Sequence, residues 1–353
     1  MKQKTKIHSN LRTIEWKNNA VVMIDQTKLP NKLVYVRYTD YRDVANAIKT
    51  LVVRGAPAIG VAGAFGLALA ALQSKAKTKE NLLLNLEKAR KILFETRPTA
   101  INLAWGLEKI MNIAKENKDV STMGESIIRA AQKMAEEDVE TNKKMGKHGA
   151  ELFENNDTIM THCNAGALAT VAYGTALGVI RATKESGKHI KVIATETRPV
   201  MQGSRLTAFE LKHDGIDVSL IPDTAVGYSM SKGLVNKVIV GADRILRTGH
   251  VYNKIGTYQV ALIAKQHKIP FYVAAPLSTF DLKSNPEDVI IEQRKASEVT
   301  GVAGKKTAPD DINVINPAFD MTPPELITGI ITEAGIAKLP FRESIKKLFK
   351  SKL

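Results

Sequence analysis

Cysteine is nearly missing from this chain, with one residue, Cys163, in 353. A lone thiol excludes an intramolecular disulfide framework, points to a reducing, cytoplasmic compartment and leaves the sulfur free for chemistry or for packing. The seven histidines are dispersed and no pair shows ligand spacing, so no metal site is expected. Aromatic residues are only 5% of the chain, and its lysines are scattered without aromatic interleaving or a recognisable nucleic-acid module. A formal net charge of +15 raises nonspecific affinity for phosphate-rich partners, yet the basic stretches 74–80 and 345–352 read as solvated surface and no specific nucleic acid is implied. The basic start has no apolar stretch behind it, so no signal peptide is expected. Two uncharged runs, 56–73 and 165–180, approach bilayer length, but both are rich in Ala and Gly. They read as buried helices, and no membrane partner is expected.

What is present is an alternation of short and long apolar patterns. The length implies two domains around separate cores. A strand-like run at Val34–Tyr38 precedes helical patterns from Tyr41 to about Ile113, and the polar stretch Lys115–Thr122 marks a boundary, with Ser121 or Thr122 placed to cap the next helix. Residues 1–120 therefore read as a smaller, mixed and largely helical α+β domain. In 121–353, Ile- and Val-rich runs at 157–161, 190–195, 216–221, 238–240, 270–275 and 288–291 alternate with helical stretches. That alternation predicts parallel strands in a Rossmann-like, doubly wound α/β sheet with right-handed connections.

Ligands bind such sheets at the carboxyl ends of the strands, and the first five runs end in chemically distinctive segments. Cys163 and Asp243 stand at two of these ends and are expected to face each other. A helix expected directly after Cys163 would favour a thiolate through its amides and dipole; the alternative is a small buried hydrophobe. A carboxyl at the mouth of a buried strand has a raised pKa suited to general acid–base work, although Asp243 could instead cap a helix or pair with Arg244. Arg54, Gly55 and Ala56, with Pro57 in the first helical turn, make an anion site of exposed amides and a bidentate guanidinium. The glycine spacing matches neither a P-loop nor a dinucleotide fingerprint, so no nucleotide cofactor is indicated. Arg97 precedes another helical stretch. Asn253 and Lys254 are expected to open the helix after Asp243, where a lysine would be disfavoured unless it served a ligand. Gln202 supplies a neutral amide for sugar hydroxyls or for its own turn, and His162 is as well suited to a structural as to a catalytic role.

Taken together, the segments 54–60, 97–103, 161–170, 196–199, 241–245, 253–258, 270–279 and 316–324 resemble those of the methylthioribose-1-phosphate isomerases. The likeness runs from about residue 10 to 340, and so many motifs in order are far more specific than any one of them. It implies an enzyme of methionine salvage that turns 5-methylthioribose 1-phosphate into 5-methylthioribulose 1-phosphate, without a cofactor and as a homodimer. By motif, the resemblance makes Cys163 and Asp243 the catalytic pair. It makes Arg54, Gly55, Ala56, Arg97, Gln202, Asn253 and Lys254 the substrate-binding set. The segment Ile221–Met230 departs from the family pattern, which opens the C5 substituent to 5-deoxyribose 1-phosphate. Ribose 1,5-bisphosphate isomerases are related alternatives, as are the regulatory subunits of the exchange factor for translation initiation factor 2, which generally lack the Cys and Asp motifs together.

Overall fold

The computed structural model describes residues 11–302 and 304–350. A three-stranded antiparallel sheet opens it, built of β1 (Ile14–Trp16), β2 (Val21–Ile24) and β3 (Tyr35–Tyr38). Helices α1 (Tyr41–Lys49), α2 (Ala56–Gln73), α3 (Lys79–Phe94) and α4 (Ile101–Glu116) follow. Helix α2 has no polar face, and every residue from Ala58 to Ala71 is buried, because neighbouring helices enclose it. A Cβ on Gly60 would stand 2.7 Å from the Asn102 carbonyl, so α2 and α4 touch backbone to backbone. Although α2 is long and apolar enough to cross a membrane, it is the central helix of this core.

Helix α5 (Val120–Ala150) runs for 31 residues. Its cap is Asp119, whose carboxylate accepts the Ser121 N–H, so the capping residue lies before Ser121 and Thr122. The boundary expected at 120/121 coincides with the start of this helix, but the packing does not divide there. Met123, Ile127, Ala131 and Met134 complete the first core, whereas Met145 belongs to the second.

The second lobe alternates β4 (Thr158–Thr161), α6 (Ala176–Glu185), β5 (Lys191–Thr195), α7 (Ala208–His213), β6 (Asp217–Ile221), α8 (Val226–Ser231) and β7 (Lys237–Val240). Beyond these lie β8 (Arg244–Leu246), β9 (Val251–Lys254), α9 (Thr257–Gln266), β10 (Phe271–Ala274) and β11 (Phe280–Asp281). The short hairpin β12 (Gly301–Val302) and β13 (Lys305–Lys306), then β14 (Phe319–Thr322), β15 (Gly329–Thr332), β16 (Gly335–Ala337) and α10 (Phe341–Lys350) complete the fold. The main sheet has seven strands in the order β16-β15-β10-β7-β4-β5-β6, parallel throughout except for β16. From β4 the chain winds outward through β5 and β6, then returns to add β7, β10 and β15 on the other side. The gap between β4 and β7 is thus the topological switch point, where doubly wound sheets take their ligands.

Three expectations are corrected. Residues 288–291 form no strand, and Ile290 is 80% exposed; the sixth parallel position belongs to β15. The run 165–180 is not one helix, because a short turn at Ala167–Ala169 and an irregular stretch precede α6. Gly174 has a φ of +90° and Tyr173 one of +72°, backbone that no helix accommodates. Finally, Asp243 is followed by strands rather than a helix. The β8–β9 hairpin joins β11 and β14 in a separate four-stranded sheet.

Candidate active site

Strand β4 runs into Thr161 and His162, and the imidazole is used up in holding the turn. Its Nδ1 lies 2.7 Å from Thr195 Oγ1 and its Nε2 lies 2.9 Å from the Ile255 carbonyl. Burial lowers its pKa. With both nitrogens engaged, His162 is a structural residue. The next residue, Cys163, adopts a φ of +64°, which L-residues rarely occupy. Two threonines hold it there: its N–H donates to Thr197 Oγ1 at 2.9 Å, and its carbonyl accepts from Thr207 Oγ1 at 2.6 Å. Backbone strain locked in this way is typical of sites where a side chain must be aimed.

Asn164 ties this turn to both lobes. Arg54 forks onto it, Nη1 to Oδ1 at 2.5 Å and Nη2 to the carbonyl at 2.6 Å, while the Nδ2 of Asn164 donates to Glu210 Oε1 at 2.9 Å. Glu210 is fully buried and also accepts the N–H groups of Ala167 and Leu168 at 2.7 and 3.0 Å. Its charge is answered by Arg181, itself fully buried and paired with Asp214 at 2.6 Å.

Asp243 follows β7 and starts the hairpin, its N–H donating to the Tyr252 carbonyl at 2.9 Å. The β9 strand therefore brings Asn253 and Lys254 back beside it, which explains how residues ten apart reach one mouth. Lys254 ends a strand rather than opening a helix. The helix that follows, α9, is capped from outside by Asp320, whose carboxylate accepts the Gly256 and Tyr258 N–H groups. Arg244 does not pair with Asp243; it lies 3.6 Å from Asp281.

Cys163, Asp243, Arg54, Gly55, Ala56, Arg97, Gln202, Asn253 and Lys254 all line one cavity of 380 Å³ at the switch point. Gly55 starts α2 with a φ of +95°, and its Cα packs so closely on Ala169 that no side chain would fit. Arg97 reaches across to Glu292 at 3.1 Å and keeps a buried Nε with no partner among the described residues. Gln202 likewise has an unpartnered Oε1.

The electrostatics follow from loss of water. Burial pushes the Cys163 thiol up, against the opposing pull of Arg54 and Lys254. The thiolate expected from a following helix is corrected on both counts: no helix starts there, and desolvation outweighs the nearby cations. Asp243 is raised by burial, with Lys254, Arg97 and Arg54 opposing. Lys254 is lowered by burial, and its ammonium sits 5.0 Å from the Phe319 ring centroid. The arrangement offers a carboxyl shifted toward its acid form and a thiol shifted toward its neutral form beside Arg54, Arg97 and Lys254.

Among the lining residues with charged or amide side chains, three were not singled out from sequence. Gln26 sits in a turn after β2, Arg205 beside α7 and Arg294 in the long segment between β11 and β14. Arg294 pairs with Glu292 and Glu298. Nothing local distinguishes these positions from surface polar residues; only the fold brings them inward. Conversely, Asp223 of the departing segment does not line the cavity. It accepts the Thr197 and Arg198 N–H groups at 2.8 and 2.6 Å and so stands behind the turn that holds Cys163. Among the described residues no group of three or more His, Cys, Asp or Glu side chains could hold a metal ion.

Known proteins resemble this chain over nearly its whole length. A methylthioribose-1-phosphate isomerase of Thermosipho africanus is 52% identical over 338 residues, covering 96% of this chain and 98% of the relative. The crystal structure of 5-methylthioribose 1-phosphate isomerase from Pyrococcus horikoshii superposes with a TM-score of 0.90 at 46% identity, covering 99% of this chain and 100% of that one. A structure described as the delta subunit of translation initiation factor eIF-2B from A. fulgidus gives 0.86 at 51% identity, over 96% of this chain and 99% of that one. The model of the initiation factor 2 subunit family matches residues 52–339, and the chain belongs to that family.

Proposed function

We propose that this chain is an aldose–ketose isomerase converting 5-methylthioribose 1-phosphate to 5-methylthioribulose 1-phosphate, a step of methionine salvage. The observation that carries the reading is the pairing of Cys163 and Asp243 on one cavity with Arg54, Arg97, Lys254 and the free amide oxygen of Gln202. Cations suit a phosphate, and an acceptor suits a hydroxyl. Relatives about half identical over nearly the whole chain carry the same activity in their names.

An aldose 1-phosphate cannot open to a free aldehyde, because its anomeric oxygen carries the phosphoryl group. Protonated Asp243 donates to the ring oxygen as the C1–O bond breaks, leaving positive charge at C1 while the cations hold the phosphate. Hydrogen then moves from C2 to C1, O2 becomes the ketone oxygen, and the proton leaving O2 restores the acid. A thiol kept protonated by burial is a poor base, which weighs toward direct hydride transfer beside Cys163. Leu51, Val200 and Leu206 give the cavity apolar wall for a small C5 substituent. The single thiol fits a reducing cytoplasm. A homodimer is supported by exposed Leu220 on the edge strand β6 and exposed Tyr228 and Leu262 on α8 and α9.

Assay of purified 5-methylthioribose 1-phosphate, 5-deoxyribose 1-phosphate and ribose 1,5-bisphosphate tests the reading. Turnover of the first in strong preference to the others is expected. No turnover of any, together with binding to a translation initiation factor, favours the subunit role named for the A. fulgidus structure. In deuterated water, solvent deuterium at C1 of the product would refute direct transfer.

A further inference from the structure

We infer that Gln26 is a further substrate-binding residue, its Oε1 accepting a hydrogen bond from the non-reacting C3 hydroxyl of the sugar. The inference rests on the proposed isomerase reading. Gln26 is 1% exposed and belongs to the first lobe, yet it lines the cavity that Cys163 and Asp243 share. All its polar groups but one are engaged. The backbone N–H donates to the Val52 carbonyl at 3.0 Å, the backbone carbonyl accepts from Arg205 Nη2 at 2.7 Å, and Nε2 donates to the Leu168 carbonyl at 2.7 Å. Only Oε1 is without a partner among the described residues. The amide cannot turn over to relieve this, since Oε1 would then face the Leu168 carbonyl, two acceptors with no proton between them.

A buried acceptor left unmatched is costly, so its persistence calls for a ligand that supplies the donor. A phosphate dianion has none to give. A hydroxyl does, and Gln202 offers a second such oxygen, 7% exposed and equally unpartnered. The reacting O2 belongs beside the acid and the thiol, which leaves the neighbouring hydroxyl at C3 for the amide opposite. The two glutamines come from different lobes and grip the sugar from both sides, while the cations hold its phosphate.

The test compares kcat/KM for 5-methylthioribose 1-phosphate with its 3-deoxy and 3-fluoro analogues, in the wild-type protein and in Gln26→Leu. The wild type should reject both analogues by about 10- to 100-fold, because fluorine cannot donate. Gln26→Leu should lose a similar factor on the parent sugar and process all three at nearly equal rates. Undiminished discrimination in Gln26→Leu overturns the inference, as does full activity of that variant on the parent. Should the variant fail to fold, the wild type decides alone: a 3-fluoro sugar turned over as well as the parent overturns the inference, and rejection of it supports the donated bond. Absence of any turnover of the parent by the wild type overturns the isomerase reading itself.

Discussion

Replacing Glu210 by Gln changes one atom and removes one charge in the fully buried network beneath Cys163. Oε1 accepts from Asn164 Nδ2 at 2.9 Å and from Leu168 N–H at 3.0 Å; Oε2 accepts from Ala167 N–H at 2.7 Å and from Arg181 at 2.8 Å. Each oxygen therefore faces two donors. Whichever way the glutamine amide is placed, its NH2 points at a pair of N–H groups, so two bonds are lost and two buried donors go unmatched. Arg181 retains Asp214 as its one anionic partner among the described residues, together with the Tyr173 carbonyl. Breaking a buried, hydrogen-bonded ion pair costs about 3–5 kcal/mol. At roughly 2–4 °C per kcal/mol for a domain of 150–250 residues, the melting temperature should fall by about 6–20 °C. Because the same carboxylate orients Asn164, and Asn164 receives Arg54, the folded fraction should also bind the sugar phosphate more weakly, seen as a raised KM. Thermal unfolding by calorimetry, paired with steady-state kinetics at a temperature where the variant is folded, separates the two effects. A melting temperature within about 2 °C of the wild type would refute the reasoning, because no rearrangement of an amide satisfies four donors.

Asp243→Asn should lower the single-turnover rate by at least about 100-fold, the low end for one acid–base group, and Cys163→Ser, which replaces the thiol beside the migrating hydrogen, should lower it as well; near-normal turnover in either removes that residue from the chemistry. Since burial raises the Asp243 carboxyl, its acid form is complete at low pH and is lost as pH rises through the raised pKa. The kcat/KM profile should therefore fall on its alkaline side, and residual activity of Asp243→Asn should lack that limb. Gly55→Ala places a methyl group against the Ala169 backbone at a φ of +95°, which should displace Arg54 and cut kcat/KM by about 100-fold; kinetics within about threefold of the wild type would contradict the close approach.

The parts of the fold legible in the sequence were those with regular period and decisive ends. Thr158–Thr161, Lys191–Thr195 and Phe271–Ala274 are dense in β-branched or apolar residues and stop at chemically distinctive segments, so both the strands and their ends are legible. Asp288–Ile291 has the same composition but no partner strand, and composition cannot reveal pairing. The run 165–180 misled for a related reason: its Ala and Gly content suits a buried helix, but packing on Glu210 requires the chain to turn there. A Cβ on Gly166 would overlap the Glu210 carboxylate. The nine candidate residues, which line one cavity, are nominated by the sequence because each sits in a compact motif. Gln26 and Arg294 lie in ordinary polar segments, and their places on the cavity depend on tertiary contacts alone.

Helix α5 carries a mechanical consequence. At about 1.5 Å per residue its 31 residues span about 46 Å, and one continuous rod is bolted into both cores. Two lobes joined by a flexible strap would be free to swing apart and admit a ligand through a wide jaw. Lobes joined through one continuous helix have fewer backbone torsions free between the wall bearing Gln26 and Arg54 and the wall bearing Cys163 and Asp243 than lobes joined by a strap. Any change in the distance between the two walls therefore has to bend or tilt that helix rather than straighten a linker.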